Sequence, residues 1–193
     1  MLRIAVFASG SGTNAGNLIR YFKSHRYITI SNILTNKHNA GVIERAVAAG
    51  VPCNVFSAKD FRESQVVEKF LTANGIGFIV LAGFLLLIPP SLISAYRRRI
   101  VNIHPALLPA HGGKGFYGMR VHESVINSGA VMSGITVHEV DERFDEGDVI
   151  FQAACHIDRN DDAASLAQKI HELEYKWYPV VIEKYIGSLN LLS

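Results

Sequence analysis

The chain has 193 residues, 49% of them hydrophobic and 19% charged, with a formal net charge of +2. That is apolar material for one full core, but no apolar run reaches the roughly 20 residues of a helical bilayer span, so a membrane partner is not expected. A positive excess this small also argues against nucleic acid, whose backbone needs clustered Lys and Arg.

Residues 3–8, RIAVFA, read as a buried strand running into the turn SGSGTN, after which Leu18, Ile19 and Phe22 recur at helical spacing. ITISNILT (28–35) is a second strand and VPCNVF (51–56) a third, and GVIERAVAAG between them is helical with Gly50 as its C-cap. Asp60 and Glu63 make a capping-box-like start to the next helix, whose apolar face is Val66, Val67, Phe70 and Leu71 and which Gly75 stops. Then come the strand GFIVLAGF (77–84), a short helix opened by Pro89 and Pro90, and the strand RIVNIHP (99–105). After a helix around Arg120 to Asn127, GITVHEV (134–140) and DVIFQAACHI (148–157) flank the acidic turn DERFDEG and predict an antiparallel hairpin. A long helix from about Asp162 to Tyr185 closes the chain. Strand–helix alternation of this kind predicts a single α/β domain over 1–193. Its core is a Rossmann-like, open, mostly parallel twisted sheet with helices on both faces, and the hairpin and closing helix follow at the C-terminal end.

Charge and cysteine usage refine this. No acidic residue precedes Glu44, whereas Arg3, Arg20, Lys23, Arg26 and Lys37 all fall in that stretch, consistent with an anionic ligand nearby or with a solvated basic face. Cys53 and Cys155 sit in apolar strands and are expected as buried reduced thiols. The opening apolar run Ile4 to Ala8 is shorter than the roughly 7–15 residues of a signal-peptide core, so a reducing, cytoplasmic setting is expected. None of the eight histidines forms a His-Glu-x-x-His pair, and no metal site is expected.

The turn GSGTNA (10–15) follows a strand and opens a helix, where glycines admit close backbone approach and helix-start N–H groups face an anion. A dinucleotide site also needs an acid about 20 residues on, and Thr35, Asn36 and Lys37 stand there instead. Ser11, Thr13 and Asn14 suit one phosphate monoester. An NADP or nucleotide-binding module, with Lys37 on a 2′-phosphate, remains an alternative, as does a turn serving only tight strand–helix packing. In NIHPALLPA (102–110), Asn102 and His104 alternate and therefore share one side of an extended segment at the carboxyl end of a sheet strand. An amide that donates to an oxyanion, an imidazole that titrates near neutrality, and carboxylates in the turn DERFDEGD together predict acyl-type chemistry without a protein nucleophile.

With these parts in order, the chain resembles the folate-dependent formyltransferases, and among them the phosphoribosylglycinamide formyltransferase family of purine synthesis. The resemblance is carried by RIAVFASGSGTN, LAGFLLLIP, NIHPALLP, GITVHEVDERFDEGDVI and ELEYKWYP. It implies formyl transfer from 10-formyltetrahydrofolate to the amine of N1-(5-phospho-D-ribosyl)glycinamide, with Asn102, His104 and Asp145 as catalytic amide, imidazole and carboxylate. Asn102 and His104 would hold the oxyanion, and Asp145 would keep His104 charged. Gly10, Ser11, Gly12, Thr13 and Asn14 would hold the ribonucleotide's phosphate and Glu174 its ribose. Arg62 and Leu85, Leu86, Leu87 and Ile88, together with Asn102, would contact the folate. The phosphate-binding half would then span about 1–100 and the folate and catalytic half about 101–193.

Three departures stand out: Glu146 where relatives often carry glycine, Leu86 where some carry a cation, and the insertion HGGKGFYGMRVHE, whose Lys114 and glycines suggest either a flap over the phosphate or a purely structural insertion with a tolerated lysine. His138 and Thr136 lie on the strand beneath. A methionyl-tRNA formyltransferase is expected to have a further C-terminal RNA-binding domain, and a formyltetrahydrofolate hydrolase a further N-terminal regulatory one; the hydrolase stays as an alternative. Oligomeric state, monomer or homodimer, is left open.

Overall fold

A computed structural model describes residues 1–63 and 65–192. Strand β1 (Leu2–Phe7) carries four consecutive buried residues, Ile4 to Phe7, as a strand covered on both faces must. Ile4, Val6 and Ala8 pack into one core while Ala5 and Phe7 pack into another, so period two divides the strand between two helical layers. The chain continues through α1 (Thr13–Phe22), β2 (Ile28–Thr35), α2 (Val42–Ala49), β3 (Cys53–Val55), α3 (Ala58–Glu63), α4 (Gln65–Ala73) and β4 (Ile76–Leu81). It then forms α5 (Pro90–Ala95), β5 (Ile100–His104), α6 (Met119–Asn127), β6 (Met132–Glu139), β7 (Val149–His156) and α7 (Ala163–Ser188). The strands make one sheet in the order β3-β2-β1-β4-β5-β6-β7. It is parallel from β3 to β5 and antiparallel from β5 through β7.

That order places the switch point between β1 and β4, where the chain leaves toward opposite edges and a crevice opens at the strand ends. Ser9 ties the crevice walls together. Its N–H donates to Gly83 O (3.0 Å), and its hydroxyl donates to Asn36 Oδ1 (2.6 Å) while accepting from Leu85 N (3.0 Å).

Four expectations change in detail. The strand expected over 77–84 ends at Leu81, because Gly83 turns at φ +71° and frees the following residues to line the crevice. The helix expected to start at Asp60 starts at Ala58. Ser57 caps it, with Ser57 N on Asp60 Oδ2 at 2.7 Å and Asp60 N on Ser57 Oγ at 3.2 Å, because Asp60 lies three residues beyond a short hydroxyl. Both free cysteines are half-buried rather than fully buried, and burial pushes both thiols up.

The closing helix runs on to Ser188, through Pro179. Proline has no N–H to give the carbonyl four residues earlier, and Asn17 Nδ2 of α1 supplies that bond instead, donating to Tyr175 O at 2.9 Å. One residue before the proline, the fully buried Tyr178 donates its hydroxyl to Leu81 O at 2.7 Å, pinning α7 to the end of β4. The N-terminus of α7 is closed by Asp162, which accepts from Ala164 N and Ser165 N.

Candidate active site

The glycine turn is held from behind. Gly10 O accepts from Val42 N (3.1 Å) and Ser11 O from Arg45 Nε (2.8 Å), so these carbonyls are committed to α2. Gly12 has φ +71°, and a Cβ there would lie 2.5 Å from Val42, so only glycine fits. No side chain caps α1, which leaves its first-turn N–H groups free for an anion. Asn14, in that first turn, donates Nδ2 to Glu174 Oε2 at 2.9 Å, and His171 Nδ1 meets the same oxygen at 2.8 Å. Glu174 is buried, and its carboxylate holds the His171 ring's pKa above the ordinary value. Asn14 Oδ1 is sealed from solvent without a hydrogen-bond partner among the described residues.

The prolines of NIHPALLPA end strand β5 in a turn that β6 and β7 grip. Thr136 Oγ1 accepts from Leu108 N (3.0 Å) and donates to Ala106 O (2.7 Å), and Gln152 Nε2 donates to Leu108 O (3.0 Å). Thr136 is thus a fully buried anchor rather than a ligand. Antiparallel register sets Asn102 opposite His138, and Asn102 Nδ2 lies 3.1 Å from His138 Nε2 and 3.4 Å from Asp145 Oδ1. His138 Nδ1 donates to the carbonyl of Glu139 at 2.7 Å, and its Nε2 stands between Asn102 Nδ2 and Asp145 Oδ1, the latter 3.6 Å away. The second N–H of Asn102 is left on its long contact to Asp145.

His104 is held at both nitrogens. Nε2 donates to His111 O at 2.9 Å, and Nδ1 faces Asp145 Oδ2 at 3.4 Å. That carboxylate oxygen also accepts from Gly113 N at 3.0 Å. Burial pushes the ring's pKa down and Asp145 pulls it up, and burial prevails. In the ligand-free pocket the ring is thus weighted toward its neutral form, with Asp145 pulling the other way. Burial also pushes the Asp145 carboxyl up, but the His138 and His104 rings and the Gly113 N–H outweigh it and leave the pKa low. Asp145 itself adopts φ +59°, a conformation Asp tolerates better than most residues. Glu146, in place of glycine, points to an ion pair with Arg143 at 2.7 Å, and a Cβ at Gly147 would collide with Glu139 O.

One cavity of about 590 Å³ joins these parts. Gly10 to Asn14, Leu85 to Ile88, Asn102, His104, Asp145 and Glu174 all line it, so both halves of the chain contribute to one site. Val140 and Phe144 extend the apolar wall of Leu85 to Ile88. Arg62 is exposed in the last turn of α3 and is not among the lining residues; neither is Lys37. Among the described residues no group of three or more His, Cys, Asp or Glu is arranged to hold a metal ion. Sequence reasoning missed His171, and within the segment 111–123, whose Lys114 lines the cavity, it did not pick out Phe116, Tyr117 or His122, which line it too. The available signal was His122 beside Val121 on the buried face of a helix, a polar residue where an apolar one was due.

The family model described as "Formyl transferase" matches residues 2–182. The phosphoribosylglycinamide formyltransferase of Bacillus subtilis is 38% identical over 196 residues, covering 98% of this chain and 97% of that protein. The chloroplastic phosphoribosylglycinamide formyltransferase of Arabidopsis thaliana is 40% identical, and there the match covers 93% of this chain but 64% of the longer plant protein. The solved structure of the phosphoribosylglycinamide formyltransferase from Bacillus halodurans superposes with a TM-score of 0.87 at 36% identity, covering 98% of each chain.

Proposed function

The chain belongs to the formyl transferase family, and on that premise we propose that it moves a formyl group from 10-formyltetrahydrofolate to the amine of N1-(5-phospho-D-ribosyl)glycinamide, a step of purine biosynthesis. The observation that carries this reading is one cavity with an open helix N-terminus and a buried acid at one end and an amide–imidazole–carboxylate cluster at the other. Phosphate and ribose suit the first end, and the acceptor's amine then reaches the second. The apolar run Leu85 to Ile88 with Phe144 fits a flat pterin ring, which such walls sandwich. Arg62, outside the lining, reaches at most the far tail of the folate.

The mechanism follows from how His104 is held. As a neutral ring it presents the Nδ1 lone pair to a carboxylate, and only the cation satisfies both His111 O and Asp145. Burial keeps the ring neutral at rest. Negative charge growing on the formyl oxygen adds to that of Asp145 and raises the ring's proton affinity at that moment. His104 then takes the proton lost by the attacking amine and returns it to the departing folate nitrogen, so that the amine's hydrogen ends on the folate. Asn102 exchanges its long contact to Asp145 for the oxyanion of the tetrahedral intermediate. No step calls for a metal. We read the chain as one catalytic domain working in the cytoplasm, a setting that suits its two free thiols.

The test is to mix the protein with the ribonucleotide and a 10-formyl-folate analogue and follow the deformylated folate. Release that depends on the ribonucleotide, without added metal, supports the proposal. Release without the ribonucleotide would make it a hydrolase, and no release at all would leave a nucleotide-binding module.

A further inference from the structure

His122 lies on α6, is 3% exposed and lines the cavity, yet it has no hydrogen-bond partner among the described residues. An imidazole buried without a partner is costly unless a ligand completes it. Its Nδ1 is sealed from solvent, so Nε2 is the atom that can meet a ligand. A buried orphan acceptor is better tolerated than a buried orphan donor, which places the proton on Nε2 and aims a donor at the cavity. Burial also holds the ring below its ordinary pKa, so this donor is neutral.

The groups close enough to bias its charge are His171 and Glu174, at the end assigned to ribose, and His104, at the reacting end. An acceptor substrate that spans those ends carries a carboxamide between its ribose and its amine. We propose that His122 recognises that carboxamide, its Nε2–H donating to the amide carbonyl oxygen, and so sets where the amine sits against His104. This rests on the substrate reading above and adds to it a specificity-determining residue.

The experiment starts with wild-type turnover of the ribonucleotide; if there is none, the substrate reading and this inference fall together. With turnover established, the ring ¹⁵N resonances of His122 are followed during titration with the ribonucleotide and, separately, with ribose 5-phosphate, which has phosphate and ribose but no amide. The expected result is a shift with the ribonucleotide alone. An unmoved ring, or an equal shift with ribose 5-phosphate, overturns the inference while leaving the activity intact. In parallel, His122→Leu should raise KM for the ribonucleotide about tenfold, as losing one buried hydrogen bond does, with folate affinity unchanged. His122→Gln, which keeps an N–H donor, should recover part of that loss. An unchanged KM in His122→Leu would also overturn it.

Discussion

Asp145 Oδ2 stands 3.4 Å from His104 Nδ1, on a ring whose other nitrogen is committed to a backbone carbonyl. Replacing the carboxylate by an amide removes the charge that opposes burial. Asp145→Asn should therefore move the His104 titration, already below its usual position, to still lower pH. Ring-proton NMR checks this, and an unmoved titration would assign the supporting role to another acid.

His104→Ala should lower kcat by at least about 10²-fold, the scale of a lost general acid–base group, while folate binding persists. Single-turnover kinetics beside a folate titration separate the two effects. An unchanged rate would remove His104 from the mechanism.

His104 and His122 both have folded pKa values lowered from 6.5 by burial. The unfolded chain then binds more protons between each lowered value and 6.5. The stability they contribute is complete above that window and is lost as the pH falls through it. Denaturant midpoints measured at falling pH should show the loss, and His122→Leu should make the profile shallower.

Gly12→Ala should cost at least about 2 kcal/mol, because it combines a left-handed penalty with a clash against Val42. Ribonucleotide affinity should fall with it, since relief of the clash moves the turn that faces the phosphate. Chemical denaturation and calorimetric titration of the same sample read both quantities.

Asn17→Ala should cost about 0.5–1 kcal/mol by removing the solvent-exposed bond to the Tyr175 carbonyl over Pro179, with kcat/KM unchanged. A variant as stable as wild type would show that water takes over the bond.

Most of the sheet was legible because its strands are covered on both faces. Ile4 to Phe7 form an unbroken apolar run, and the hairpin flanking DERFDEG is set by alternation and an acidic turn. Boundaries were less legible where a side chain decides them at a distance. Ser57 captured the helix start ahead of Asp60, and Asn17, 158 residues from Tyr175, lets α7 pass a proline that reads locally as a break. At the site, Asn102 and His104 were legible from period two and Glu174 from resemblance. The charge state of His104 was not, because it depends on how deeply the ring is buried. His122 escaped notice because its meaning lies in a partner it lacks.

Residues 111 to 113 bond the reacting groups through their backbone: one carbonyl on the imidazole, one N–H on the carboxylate. Any displacement of this short segment withdraws both at once, and Gly112 holds it in place, because a Cβ there would collide with Leu108 and press on Asp145. A side chain at Gly112 would therefore disturb both bonds together, whereas an ester in place of the amide preceding Gly113 would remove one of them alone.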